Sequence, residues 1–206
     1  THRGAGRHIG SSMMRSGRLI IAALVLALAQ IGFLSWMIAG RAAILRDGTE
    51  VLLKVEPVDP RDLLRGDYVI LRYEISSIPV RLVLNRPDGS FTSHEGDVFV
   101  RLKKDADGYW RAVSANLDAP STPPPGAGEI DIKGHVGAGW TLGEGASVGA
   151  DYGIERFYVP EGEGRAIEQD MRVRPFGVKV AVAADGTAQV KALMDGDKTL
   201  FEEPLY

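Results

Sequence analysis

Asp59, Asp62, Asp67 and Glu74 alternate with Arg61, Arg65 and Arg72 over one turn-like stretch and the apolar segment that follows it. Carboxylates grouped this way are the raw material of general acid and base catalysis, including hydrolysis of glycosidic polymers by an acid pair. A second group, Glu155, Arg156, Glu161, Glu163 and Arg165, lies far along the chain. If the two stretches meet in space, Asp67 and Glu155 are the acid-base pair that an enzyme would use. The same residues fit a structural account better. Asp59 caps a short helical turn over residues 61–64, arginine-carboxylate pairs hold it, and Gly66 reverses the chain. No catalytic residue is therefore assigned, and the reading leans away from an enzyme, with Asp67 and Glu155 kept as the weak candidates.

Other chemistries are poorly supplied. The 206 residues include no Cys, which excludes a thiol enzyme, an iron-sulfur protein, a disulfide scaffold and a lipobox anchor. His2 and His8 lie near the start, leaving His94 and His135, which have no second His or Cys at ligand spacing. No metal and no cofactor is expected. Glycines 134, 137, 139, 143, 145 and 149 match neither phosphate-loop spacing. Tyr68, Tyr73, Trp110 and Trp140 could line a ligand face, although aromatics on strands more often fill a core.

Residues 19–40, LIIAALVLALAQIGFLSWMIAG, carry no charge and are apolar on every helical face, long enough at about 1.5 Å per residue to cross about 30 Å of hydrocarbon. A transmembrane helix is expected there, contacting the lipid bilayer, with residues 41–46 continuing it until Asp47-Gly48 ends it. Residues 1–40 hold four Arg and no acid, leaving 20 basic and 27 acidic residues, a balance of -7, for residues 41–206. Arg15 and Arg18 precede the span, whereas Arg41 and Arg46 are soon joined by Asp47 and Glu50, so residues 13–18 are expected to be a short cytoplasmic segment. A cleaved signal peptide is the rival, but the apolar run exceeds the roughly 7 to 15 residues of a signal core. Residues 1–12 read as a cloning remnant or upstream extension, with Met13 or Met14 a natural start. The acidic remainder speaks against nucleic acid as a partner.

Residues 41–206 read as a mainly β, antiparallel domain on this stalk. Strands are expected at 50–56, at 67–75 as a central strand, at 80–84, and at 97–104 and 109–116 around a turn at 105–108. The proline-rich residues 119–128 form a surface connection. Further strands follow at 129–136 and 152–159, the glycine-rich residues 137–149 form a loop or strand edge, and a helical turn or two falls at 166–171. Residues 177–183, 187–194 and 197–201, separated by Asp185-Gly186 and Asp195-Gly196, read as a three-stranded meander.

Residues 57–73, PVDPRDLLRGDYVILRY, resemble the GDYXXLXY family of bacterial membrane-anchored proteins, with the octapeptide at Gly66, Asp67, Tyr68, Leu71 and Tyr73. Residues 152–164, YGIERFYVPEGEG, are similar to a second family motif and contain Glu155 and Arg156. The resemblance spans residues 19–206 and carries no catalytic residues over, because no activity is established for the family. Its members' tendency to be encoded beside multi-span membrane proteins implies an envelope complex. A weaker likeness is to type I signal peptidases, in which a Gly-Asp pair opens a strand as Gly66-Asp67 does. The nucleophilic serine has no counterpart, since the residues between the span and Gly66 include no Ser, with Thr49 their one hydroxyl, and no lysine is placed to complete a dyad with it. The expectation is a single-pass protein of the bacterial inner membrane, N-terminus cytoplasmic and domain periplasmic or extracellular, acting as a non-enzymatic accessory subunit for an integral membrane partner. The alternatives are an envelope-polymer hydrolase and a degenerate signal-peptidase-like fold.

Overall fold

The computed structural model describes residues 10–56, 68–88, 91–92, 94–141, 143, 145–158 and 176–203. The chain divides into two units, Thr1–Ala42 and Ala43–Tyr206. The described residues of the first belong to α1 (Gly10–Asp47), whose final turn lies in the second. Side chains from Arg18 to Arg41 are exposed, Trp36 at 73%, as expected of a helix with no polar face to set against water. Arg18–Asp47 is the one described helix long and apolar enough to cross a membrane. It ends at Asp47-Gly48, as the sequence predicts, with the Gly48 N–H donating to the Ile44 carbonyl at 2.9 Å.

The second unit is built from short antiparallel strands. The first sheet holds β1 (Thr49–Glu56), β3 (Arg72–Tyr73), β12 (Phe176–Val182), β13 (Ala188–Asp195) and β14 (Lys198–Glu202), in the order β14-β13-β12-β1-β3. The second holds β4 (Ser77–Pro79), β6 (Gly96–Lys104), β7 (Trp110–Leu117), β8 (Glu129–Val136) and β10 (Ser147–Asp151), in the order β4-β10-β8-β6-β7. Two small ribbons complete the described strands: β2 (Tyr68–Ile70) with β11 (Arg156–Tyr158), and β5 (Phe91–Thr92) with β9 (Trp140–Thr141). In β1, alternation puts Val51, Leu53 and Val55 inward, while β12, flanked on both sides, is apolar on both faces. These side chains join Val98, Val100 and Leu102 of β6 and Ile132 and Val136 of β8 in one hydrophobic cluster shared by both sheets.

The sheets also touch through backbone. In the Asp185-Gly186 turn, the Gly186 carbonyl accepts the Lys133 N–H of β8 at 2.9 Å, and Gly186 has φ +88°. A Cβ there would stand 2.9 Å from the Lys133 nitrogen, so only glycine lets this turn approach β8. The terminal meander and the hairpin of β6 and β7 agree with the sequence reading.

Three expectations are corrected. Residues 67–75 are not one central strand: the chain leaves its ribbon at Leu71, joins the edge of the first sheet as β3, and then enters a 3-10 turn at Glu74–Ser76. Leu71 is buried and its N–H bonds to neither sheet but to the Glu155 carbonyl, which forces the step. Residues 80–84 form a 3-10 turn at Val80–Leu82 and a single bridge at Val83, because Pro79 precedes them and cannot donate to a ladder. Of the strand expected at 152–159, among the described residues only Arg156–Tyr158 is strand, the preceding turn being closed by Glu155. The glycine-rich segment supplies β9 and β10, the latter inside the second sheet. The expected helical turn at 166–171 lies outside the described residues.

Candidate functional site

The two charged motifs meet. β2 and β11 pair in antiparallel register, Arg156 opposite Ile70, Phe157 opposite Val69 and Tyr158 opposite Tyr68. Beyond the ribbon the segments are joined by a reciprocal exchange of tyrosines. The Tyr73 hydroxyl donates to the Ile154 carbonyl at 2.6 Å, and the Tyr152 hydroxyl donates to the Ile75 carbonyl at 2.7 Å. Between them the Leu71 N–H donates to the Glu155 carbonyl at 2.7 Å. Each segment therefore satisfies buried backbone groups that the other cannot satisfy for itself. Tyr73 is fully buried and Tyr152 nearly so.

Glu155 closes the turn before β11. Its Oε1 accepts the Tyr152 N–H at 2.6 Å, which fixes the backbone from which the Tyr152 ring projects. That ring lies against Gly134 of β8, where a Cβ would come within 2.9 Å of its edge. The Tyr152 ring thus occupies space that any other residue at 134 would fill. Arg156 is exposed on β11. Gly66 and Asp67 lie outside the described residues, as do Asp59, Arg61, Asp62, Arg65, Glu161, Glu163 and Arg165. The described members of the first cluster pair elsewhere than with one another. Glu74 meets Arg111 at 3.3 Å and Lys54 at 3.9 Å, and Arg72 meets Glu56 at 3.9 Å across β1 and β3.

Burial, with the Glu155 carboxylate adding to it, holds the Tyr73 phenol well above its usual range. Burial pushes the Tyr152 phenol up as well, reinforced by Glu155 and Asp151. Both groups stay neutral when folded and ionise near pH 10 when unfolded. A raised folded pKa contributes stability that is complete below about pH 10 and is lost as pH rises above it. Each tyrosine should thus remove up to about 1.4 kcal/mol of stability per pH unit there. Urea unfolding of the full chain between about pH 9 and 11 checks this: the decline should be shallower in Tyr152→Phe, and an equally steep one would contradict the burial of this phenol.

Neither histidine joins the junction. His94 Nε2 lies 3.5 Å from Asp118 and His135 Nε2 lies 3.7 Å from Glu95, both at the opening of β6. Among the described residues no three His, Asp or Glu side chains are placed to hold a metal ion. Of the aromatic set, Trp140 is buried and donates its Nε1 to the His94 carbonyl at 3.2 Å, and Trp110 packs on the core. With Tyr73 also buried, these three do not form an exposed ligand face.

The family model for the GDYXXLXY protein matches residues 30–193, a span that includes both motifs, the second sheet, and the first sheet up to residue 193 of β13. The chain belongs to the GDYXXLXY family. Neither a curated protein nor a solved structure matches it. In this GDYXXLXY protein the octapeptide tyrosine and leucine, Tyr73 and Leu71, are the donors that bind the second motif. The sequence singled out both motifs, and the partnership of Tyr73 with Ile154 and of Tyr152 with Ile75 went unread. The ion pair of Arg101 in β6 with Asp131 in β8 was also missed. Both strands carry several charges, β6 also Asp97, Lys103 and Lys104 and β8 also Glu129 and Lys133, so nothing local marked this pair, which aligns directly across the ladder on the face away from Val100 and Ile132.

Proposed function

We propose that this GDYXXLXY protein is a non-enzymatic, single-pass accessory subunit whose β domain binds or stabilises an integral membrane partner. The observation that carries the reading is the use of the motif groups. The Tyr73 and Tyr152 hydroxyls and the Glu155 carboxylate all bind backbone of the junction, which gives the motifs an architectural task. The apolar helix supports anchoring in the bacterial inner membrane. The arginines before it, against Asp47 and Glu50 after it, favour a cytoplasmic N-terminus and a periplasmic or extracellular domain. An uncleaved signal anchor suits the helix, which continues unbroken through residue 47.

An accessory subunit should leave the membrane in company. Extraction of the native host's membranes in mild detergent should recover this chain with one integral membrane protein in fixed ratio. Recovery of the chain alone across several mild detergents would defeat the proposal.

A further inference from the structure

Gln30 stands at the centre of the apolar span 19–40, with eleven of its residues before it and ten after it. At about 1.5 Å per residue its Cα lies within about 1 Å of the middle of that span. Its side chain is exposed on α1, and among the described residues its amide has no hydrogen-bond partner. Ser35 is the other polar side chain of the span apart from the Trp36 ring, and its chemistry differs. A hydroxyl can turn back to a carbonyl of its own helix. A primary amide brings two N–H donors and an acceptor, which a helix with its backbone already paired does not complete. Hydrocarbon holds no water to complete them either, so such a group faces protein rather than lipid.

The residues along the same side of α1 form a seam. Leu19, Ala23, Leu26, Gln30, Phe33 and Met37 follow one another at alternating steps of four and three, the spacing of a heptad. All six are exposed. Apolar residues alone single out no face of this span, because every face is apolar; the amide does. Ala23, one heptad before Gln30, is the small side chain that lets two backbones approach.

We propose that this seam packs against the same seam of a second copy of the chain, as a parallel, left-handed helix pair with Gln30 against Gln30. Copies of one chain insert the same way round, so position 30 of each lies at the same depth. A second copy therefore brings the required polar group to the required place without any further coincidence. The amide is its own complement: the Oε1 of each accepts from the Nε2 of the other, an exchange symmetric about a two-fold axis. The seven-residue spacing favours the left-handed crossing, and a single polar residue in such a seam fixes register and the number of helices. The proposal rests on α1 crossing a bilayer. It is independent of the integral membrane partner proposed above, which has the other faces of the helix and the β domain to bind.

Sedimentation equilibrium of the full chain in density-matched detergent micelles should show a reversible monomer-dimer association. Gln30→Leu makes the helix more apolar and so keeps it in the membrane, and it should weaken the association about 5- to 30-fold, the range expected of interhelical hydrogen bonds. Gln30→Asn, which keeps an amide at the seam, should weaken it less than about 3-fold. Photocrosslinking in carbonate-washed membranes of the native host locates the contact. The photoreactive residue p-benzoylphenylalanine in place of Phe33 should crosslink to a second copy. In place of Leu28, about 160° round the helix from Gln30, it should not. A monomer at every concentration, a dimer indifferent to Gln30→Leu, equal self-crosslinking from both positions, or crosslinking from position 33 to a different protein would each overturn the proposal. Loss of the chain from the washed membranes would overturn the anchoring of α1, and the proposal with it.

Discussion

Tyr73→Phe is expected to lower the unfolding free energy by about 1 to 3 kcal/mol, and Tyr73→Ala by about 3 to 5 kcal/mol. The first removes one oxygen and leaves the Ile154 carbonyl buried without its donor, the circumstance in which a hydrogen bond matters most. The second also empties a fully buried ring site in the cluster that both sheets share. Tyr152→Phe, which strips the Ile75 carbonyl in the same way, provides the partner for a double-mutant cycle. The two hydroxyls brace one pair of segments from opposite sides, so their losses should couple by about 0.5 kcal/mol or more. Urea unfolding of the three single variants, the Tyr73→Phe/Tyr152→Phe double variant and the native chain in one detergent measures all of this. A loss below about 0.5 kcal/mol in Tyr73→Phe would mean that the junction is incidental to the fold.

Arg101→Met should be as severe, at about 3 to 5 kcal/mol, because it abandons the Asp131 carboxylate in a site only 11% exposed. The Asp131 partner raises the affinity of the guanidinium for its proton against the opposing effect of burial, so Arg101 keeps its charge. The double substitution Arg101→Met with Asp131→Leu should recover most of the loss, since an apolar pair of similar size needs no counter-charge. Equilibrium unfolding of single and double variants is the measurement. A double variant as unstable as the single one would show that the cost lies in the Ser121 carbonyl bond rather than in the ion pair.

What was legible in the sequence was local. The hairpin of β6 and β7, the terminal meander and the apolar helix follow from alternation, turn residues and the length of one uncharged run, all within about 10 to 25 consecutive residues. The break at Leu71 was not legible. Apolar residues on both faces of residues 67–75 are what a central strand needs, and the same pattern serves a segment that turns from one partner to another. The bonds that decide between them join residues 81 and 77 positions apart, which no local period encodes. The carboxylates misled for a related reason. Clustering in sequence suggested that they pair with neighbouring arginines, yet Glu74 reaches Arg111 on β7. Glycine counts were similarly ambiguous until each had a neighbour: Gly134 seats a ring, and Gly186 touches another sheet.

The central claim is that the two family motifs form one structural junction, and amide hydrogen exchange at Leu71 tests it most directly. That N–H is bound to the Glu155 carbonyl, one step past the paired residues of the β2–β11 ribbon and outside both large sheets, so its protection depends on the two motifs staying joined. In the full chain in detergent, the Leu71 amide should exchange as slowly as those of Leu53 in β1 and of Val178 and Val180 in β12, and should quicken in Tyr152→Phe. Exchange at the rate of an open loop, unchanged by Tyr152→Phe, would contradict the account.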